Sequence, residues 1–173
     1  YRLCNSTRCR IDITGEVNVA TLPVYELANL DGERVSSPQT EGALICFVKE
    51  DCPTCKEVMP ILDAFFRQYG ERMPVQVIGQ TQAGNAALAA AYAPAFSILD
   101  DSALHVSFAA SIETVPTLVR TDATGAEIMR LVGFAKDEWH AMSAQLDEET
   151  QQQALPLNWS SLPQWRPGCG SLS

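Results

Sequence analysis

The sequence predicts an α/β fold in which a central β-sheet is covered by helices. One observation is a short apolar run, Ala43–Val48, which is typical of a strand buried on both faces. A second is the order of the predicted elements, which reads strand–helix–strand, then an insertion, then strand–strand–helix. A third is size, because 173 residues with 46% hydrophobic content suit one domain with a real core.

Around the apolar run, the pattern predicts a hairpin and a long helix. The hairpin covers residues 22–37 and has an Asp-Gly turn. The helix runs from Pro53 to Tyr69, because apolar side chains recur there at helical spacing and Gly70 follows as a stop signal. Pro60 lies inside this helix, where we expect a kink.

The rest of the chain alternates short strands and helices. In order, we expect a strand at 75–79, a helix at 85–92, a strand at 96–99, a helix at 102–110, a strand at 115–121, a hairpin strand at 127–132 and a helix at 136–146.

Composition divides the chain into three parts. Residues 1–21 form a polar N-terminal arm with an alternating stretch that could pair as a strand, and residues 22–147 form the folded domain. Residues 148–173 are a tail rich in proline and glycine that contains Trp159 and Trp165. Because a freely disordered tail rarely carries two tryptophans, we expect this tail to pack on the domain or on a partner.

Charge and composition exclude several classes of protein. The net charge of −9 and the pI of about 4.6 disfavour binding to nucleic acid or to an anionic membrane surface. No stretch approaches the ~20 apolar residues of a membrane helix. His105 and His140 are far apart, so we expect no metal site and no cofactor. The chain begins at Tyr1 rather than Met, so we expect that a segment was removed: a signal peptide, a membrane anchor or the rest of a cloned gene.

Six cysteines are many for a cytosolic domain of this size. They are Cys4, Cys9, Cys46, Cys52, Cys55 and Cys169. An even count with cysteines near both ends favours an oxidising compartment.

The run Cys52-Pro53-Thr54-Cys55 is the strongest chemical signal, because it follows a buried strand and opens a helix. Unpaired N–H groups at a helix N-terminus favour an anion, so the pKa of Cys52 should fall below its usual value of about 8.5. The Cys52 thiolate would attack a disulfide, and the more buried Cys55 would resolve the mixed disulfide. Two alternatives are half of a zinc site, which lacks a second ligand pair, and an inert structural disulfide.

A second element is Thr114-Val115-Pro116-Thr117, where a proline stands before an apolar strand. By itself this is a weak signal, because proline is common at the start of a strand.

Together these motifs resemble the thioredoxin superfamily, and more narrowly its TlpA/ResA-type bacterial thiol–disulfide oxidoreductases, with MauD-like proteins as a close comparison. The resemblance covers residues 22–147. It implies a thioredoxin-like fold: a central mixed β-sheet flanked by helices, with an N-terminal hairpin and an inserted helix and strand. It also implies that Pro116 is a cis-proline facing the dithiol and that Val115 offers its backbone to a substrate cysteine. Pro53 and Thr54 join them as candidate substrate contacts.

Three positions depart from the pattern of that superfamily. Cys46 and Val58 stand where carboxylates associated with proton transfer to the buried thiol are usual, and Asp51 replaces an aromatic residue. Cys55 therefore lacks an obvious base unless water or Glu57 serves. Lys49 stands where a peroxiredoxin needs Thr or Ser, which disfavours peroxidase activity.

The other cysteines are candidate auxiliary thiols. Cys46 is expected to be a buried core residue, with a third thiol beneath the pair as the alternative. Cys4 and Cys9 could pair with each other, or one of them could pair with Cys169. Cys169, between two glycines, could also be a free thiol or a shuttle thiol that reaches Cys52.

The leading hypothesis is a protein-disulfide reductase or oxidoreductase that reduces or matures a partner protein. It implies a protein thiol or disulfide substrate and an upstream redox donor. The expected location is periplasmic or otherwise extracytoplasmic, with membrane contact only through a missing N-terminal anchor; a cytoplasmic location stays open. The alternatives are a copper or zinc carrier on the same fold and a non-catalytic accessory domain.

Overall fold

The computed structural model describes residues 10–11 and 17–173, with side chains from residue 19 onward. Cys4 and Cys9 lie outside the described residues, so their pairing stays a prediction. The described ends of the arm form two short antiparallel strands, β1 (Arg10–Ile11) and β2 (Val17–Asn18).

The folded part contains eleven further strands and four α-helices among the described residues. The first half comprises β3 (Tyr25–Ala28), β4 (Arg34–Ser37), β5 (Ala43–Val48), α1 (Pro53–Tyr69), β6 (Val75–Gly79), α2 (Gln82–Tyr92) and β7 (Ile98–Asp100). The second half comprises α3 (His105–Ala109), β8 (Thr114–Val115), β9 (Thr117–Thr121), β10 (Glu127–Val132), β11 (Phe134–Ala135), α4 (Lys136–Thr150), a 3-10 turn (Trp159–Ser161), β12 (Trp165–Arg166) and β13 (Cys169–Gly170).

A five-stranded mixed sheet forms the centre, with the strand order β10-β9-β5-β6-β7. Strands β5, β6 and β7 are parallel, whereas β9 pairs antiparallel with both β5 and β10. All six residues of β5 are buried because the strand lies in the middle of the sheet. The end of this central strand leads directly into the cysteine motif, which begins α1.

The sequence explains why α1 begins where it does. Cys52 is the N-cap residue with extended backbone, and Pro53 fills the first turn, where its missing N–H has no helical partner to lose. The helix continues through Pro60 and ends at Gly70, whose N–H donates to the Phe66 carbonyl oxygen at 2.9 Å. Helix α1 therefore begins shortly after the end of the central strand β5, with Cys52 at its N-terminus.

Aromatic side chains lock α1 against the last helix. The rings of Phe65 and Trp139 stack with their centroids 6.1 Å apart, and Phe134 meets Trp139 edge-on at 5.4 Å. All three side chains are buried. Such pairs add specific geometry to the burial of a large apolar area, so the helix that carries the cysteines rests on a rigid core.

The α/β fold with a mixed sheet, a preceding hairpin (β3–β4) and an inserted helix and strand (α2–β7) confirms the predicted fold class. Several predicted bounds were wrong: α2 begins at Gln82 rather than at residue 85, β7 covers Ile98–Asp100 rather than 96–99, and α3 covers His105–Ala109 rather than 102–110. The strand expected at 115–121 is interrupted at Pro116, because a proline has no N–H to continue the ladder. The last helix extends beyond residue 146 to Thr150.

The C-terminal residues pack on the domain through two short strand pairs. Strand β12 pairs antiparallel with β11, and β13 pairs antiparallel with β8. In the part of the chain that the structure describes, no helix has both the length and the apolar character to cross a membrane.

Candidate active site

Cys52 lies at the junction of the central strand and α1. Its backbone is extended (φ −85°, ψ 114°), so its side chain turns back over the start of the helix. The Cys55 N–H donates to Cys52 Sγ at 3.3 Å. On the other side, the Cys52 thiol donates to the Val115 carbonyl oxygen at 3.4 Å. Two elements that are distant in the sequence therefore hold one sulfur atom.

Cys55 lies one helical turn further on and is also fully buried. The Lys49 N–H donates to its sulfur atom at 3.4 Å. Cys46, on the strand beneath, is buried as well, in agreement with its predicted place in the core. The four described cysteines, these three and Cys169, are free thiols.

The environment stabilises the thiolate of Cys52 and lowers its pKa to about 5. The largest cause is the hydrogen bond from the Cys55 thiol, which outweighs the opposing effect of burial. A hydrogen bond from Cys169 and the N–H groups of Cys55 and Thr54 lower the pKa further. These donors act at a helix N-terminus, where an anion is favoured.

The environment acts in the opposite direction on the other two buried thiols. Burial raises the pKa of Cys55, and the neighbouring Cys52 raises it further. Burial also raises the pKa of Cys46, followed by the charge of Cys52. The site thus contains one thiol that ionises easily and two that remain protonated while Cys52 carries the charge.

The loop that faces the cysteines contains Val115 and Pro116, and the peptide bond between them is cis. Val115 is fully buried, and its carbonyl oxygen accepts the hydrogen bond from Cys52. Pro116 then accepts a hydrogen bond from the Gly133 N–H at 2.8 Å, which ties the loop to the entry of β11. The structure therefore brings the two separate sequence motifs together.

The C-terminal segment covers this junction. Cys169 stands opposite Val115 in the strand pair β13–β8, and its thiol lies close enough to Cys52 to lower the pKa of the Cys52 thiol. Sequence reasoning had left Cys169 open between a structural bridge, a free thiol and a shuttle thiol. The structure places it at the dithiol.

The other candidate residues have distinct positions. Pro53 is exposed, whereas Thr54 is buried and its hydroxyl donates to the Pro167 carbonyl oxygen at 2.6 Å. Glu57, considered as a base for Cys55, instead forms a half-exposed ion pair with Arg166 at 3.2 Å. The carboxylate of Asp51 is exposed and lies 3.3 Å from the Lys49 ammonium group.

Sequence reasoning missed three residues that organise the site. Lys49 donates to the Gly170 carbonyl oxygen at 2.8 Å. The buried amide of Gln80 binds Ser171 and Leu172. Gly168 passes very close to β8. Only the run Gly168-Cys169-Gly170 carried a local signal, because glycine permits close backbone approach.

No group of three or more His, Cys, Asp or Glu side chains among the described residues is arranged to hold a metal ion. The imidazole of His140 stacks on Trp159, with ring centroids 4.9 Å apart. His105 begins α3. Neither histidine was expected to be a ligand.

The mixed sheet, the helix that begins at a cysteine pair and the facing cis-proline loop define a protein of the thioredoxin-like class. Residues 31–129 match the family described as TraF, F plasmid transfer operon protein. The chain belongs to this TraF family, which is thioredoxin-like. The motifs alone did not point to this particular family, although the resemblance to the thioredoxin superfamily is confirmed.

Solved structures with the same fold include proteins described as a thioredoxin and as a thiol–disulfide oxidoreductase. The pneumococcal exposed lipoprotein thioredoxin Etrx1 from Streptococcus pneumoniae is 18% identical, with 73% of this chain and 99% of that chain covered and a TM-score of 0.62. StoA from Bacillus subtilis is 21% identical (69% and 98% covered, TM-score 0.57). A thiol-disulfide oxidoreductase from Bacteroides fragilis is 18% identical (75% and 99% covered, TM-score 0.59). No curated protein matches the chain.

Proposed function

We propose that the chain is a protein thiol–disulfide oxidoreductase in which Cys52 is the attacking thiol and Cys55 the resolving thiol. The observation that carries this proposal is that two thiols one helical turn apart have pKa values shifted in opposite directions. The pKa of Cys52 is lowered to about 5, whereas that of Cys55 is raised. Because the thiolate is the nucleophile, Cys52 is reactive at near-neutral pH, whereas Cys55 stays protonated until the second step of the exchange.

The exchange follows in two steps. The Cys52 thiolate attacks one sulfur of a substrate disulfide, which releases the other sulfur as a thiolate and leaves a mixed disulfide. Cys55 then loses its proton, attacks Cys52 and expels the bound sulfur as the second thiolate. The substrate gains two electrons, and the two cysteines lose them.

Loss of the Cys52 charge would itself activate Cys55. The hydrogen bond and the negative charge of Cys52 both contribute to the raised pKa of Cys55. Both contributions disappear once Cys52 is bonded to substrate, so the pKa of Cys55 falls at the step that requires its thiolate. This timing offers a route to ionisation even though Val58 and Cys46 replace the carboxylates usual in related proteins.

The cis-proline loop supports a role for Val115 and Pro116 in substrate contact. The Val115 carbonyl oxygen lies within hydrogen-bond distance of Cys52, and its strand edge accepts an antiparallel segment, as β13 demonstrates. An extended substrate peptide would use the same backbone groups. Pro53 and Thr54, at the start of α1, complete the proposed contact surface.

The proposed partners are a protein thiol or disulfide and an upstream redox donor. We place the chain in an extracytoplasmic compartment because its cysteine content fits an oxidising environment. The description of Etrx1 as an exposed lipoprotein is consistent with this placement. Among the described residues no ligand cluster favours the alternative of a metal carrier.

Insulin reduction with dithiothreitol as the electron source tests the proposal. We expect activity from the wild-type chain, background rates from Cys52→Ser, and accumulation of a mixed disulfide when Cys55→Ser is combined with Cys169→Ser, which removes the other thiol near Cys52. Cys46→Ser is the matched control, because it removes a buried thiol from the same region and should retain activity. Equal loss in all three variants, or activity in Cys52→Ser, would refute the assigned roles.

A further inference from the structure

The C-terminal segment, residues 165–173, runs across the cysteine pair as part of the fold. It first pairs with β11, where Arg166 stands opposite Phe134, and then with β8, where Cys169 stands opposite Val115. Beneath it, the Cys52 side chain has no exposed surface. A protein substrate could reach Cys52 only after this segment moves.

Specific side chains of the domain hold the segment. Lys49 donates to the Gly170 carbonyl oxygen at 2.8 Å, and Thr54 donates to that of Pro167 at 2.6 Å. Further along, the buried Gln80 accepts from the Leu172 N–H at 3.1 Å. Each contact uses backbone groups of the segment, so its path is fixed independently of most of its side chains.

Gly168 is the point of closest approach. A Cβ atom at this position would lie 2.3 Å from Thr114 Cγ2 and 2.7 Å from the Val115 carbonyl oxygen. Gly170, two residues later, has nothing within 4 Å of the same position. The close packing of the segment against β8 therefore requires a glycine at position 168, whereas position 170 tolerates a side chain.

This packing brings the Cys169 thiol close to the reactive sulfur atom of Cys52. Cys169 lies in register with Val115, and the carbonyl oxygen of Val115 accepts from Cys52. The Cys169 and Cys52 thiols lie close enough for each to change the pKa of the other. A disulfide between them would bring the two sulfur atoms to about 2.05 Å.

We propose that Cys169 is a third redox-active cysteine that forms an intramolecular disulfide with Cys52 and so closes the oxidised site. This inference rests on the proposed function, which supplies the oxidised Cys52–Cys55 pair. The Cys169 thiolate attacks Cys52 Sγ, the Cys52–Cys55 bond breaks and the Cys52–Cys169 bond forms. Cys169 gives its proton to solvent, and Cys55 leaves as a thiolate that takes one up. The number of disulfides stays at one, so no further oxidant is needed.

The surroundings act on both thiols of this exchange. The hydrogen bond to Cys52 and burial raise the pKa of Cys169, and the positive charge of Lys49 opposes them. Burial raises the pKa of Cys55, so its thiolate leaves more slowly but takes up a proton once it is expelled. The disulfide would hold residues 165–173 over the site until a reductant opens it.

Peptide mapping after oxidation tests the proposal. The protein is equilibrated in glutathione buffers, quenched with acid, alkylated and digested without reduction, and the disulfide-linked peptides are identified by mass spectrometry. We expect a Cys52–Cys169 peptide beside the Cys52–Cys55 peptide in the wild-type chain. In Cys55→Ser it should account for most of the protein.

The two glycines provide a matched control that leaves every thiol in place. Gly168→Ala should strongly reduce the Cys52–Cys169 peptide, whereas Gly170→Ala should leave it at the wild-type level. Equal yields of the Cys52–Cys169 peptide in both variants would contradict the claim that close packing at Gly168 positions Cys169.

The outcomes separate the two proposals. A wild-type chain that forms the Cys52–Cys55 disulfide but no Cys52–Cys169 peptide would overturn this inference alone. The same holds for a Cys55→Ser variant that ends as a Cys52–glutathione adduct with free Cys169. A wild-type chain with no reversible Cys52–Cys55 disulfide would overturn the proposed function as well.

Discussion

The two sides of the site depend on different kinds of interaction, one local in the sequence and one long-range. On the helix side, the central strand runs directly into Cys52, and Cys55 follows one turn later, so sequence spacing alone determines their relation. On the side of the C-terminal segment, Cys169 lies 117 residues from Cys52 in sequence but shares a strand pair with Val115. The comparison teaches that a local motif defines the chemistry, whereas long-range backbone pairing defines access to it.

The largest expected effect separates the two sides by activity. Cys52→Ser should reduce insulin reduction to background, because no other described thiol has a lowered pKa. Cys169→Ser should keep at least the wild-type rate, because it removes a competing thiol and leaves the pair intact. Initial rates at equal protein concentration measure both. Loss of activity in Cys169→Ser would show that both sides are needed for turnover.

A smaller effect concerns access to Cys52. Lys49→Met removes the hydrogen bond to the Gly170 carbonyl oxygen, worth about 1 kcal/mol. If the segment must open before reaction, the rate of Cys52 alkylation by iodoacetamide should rise about fivefold. The measurement follows loss of the unmodified Cys52 peptide with time. An unchanged rate would mean that Lys49 does not hold the segment closed.

The third prediction compares how strongly Cys55, on the helix, and Cys169, on the C-terminal segment, lower the pKa of Cys52. Absorbance of the thiolate near 240 nm should titrate with a pKa of about 5 in the wild-type chain and should be absent at that pH in Cys52→Ser. The thiolate is present above this pKa and is lost as the pH falls through it. Cys55→Ala should raise the pKa more than Cys169→Ala, because the hydrogen bond from Cys55 is the larger cause. The reverse order would contradict the account of the thiolate.

The smallest effect is expected at the surface ion pair of Glu57 and Arg166. Both side chains are about half exposed, and such pairs contribute roughly 0–1 kcal/mol. Glu57→Gln should therefore change the alkylation rate of Cys52 less than Lys49→Met does. High salt should abolish any difference from the wild type. A larger effect than that of Lys49→Met would reverse the ranking of the contacts.

Sequence reasoning succeeded where residues near in the chain decide the structure. Strand β5 and helix α1 were predicted to within their observed bounds, because an all-apolar run and a helical apolar period are local signals. The buried position of Cys46 followed from the same strand.

Sequence reasoning failed where distant backbone segments decide the structure. Nothing in the composition of the tail indicated that Gly168 packs against Thr114 or that Lys49 binds a carbonyl group 121 residues away. Glu57 was considered as a base, but its position beside Arg166 depends on the same long-range pairing. The tail was expected to pack on the domain or a partner, and its register could not be read from the residues.

The most direct test of the central claim is the reduction potential of the Cys52–Cys55 couple. It would be measured in glutathione or dithiothreitol buffers, with Cys46 and Cys169 each changed to serine in turn. A pKa of about 5 for Cys52 lies between those of about 7 and about 3.5 for thioredoxin and DsbA. We therefore predict a reversible two-electron couple between about −270 and about −120 mV. The absence of any reversible couple would contradict the account.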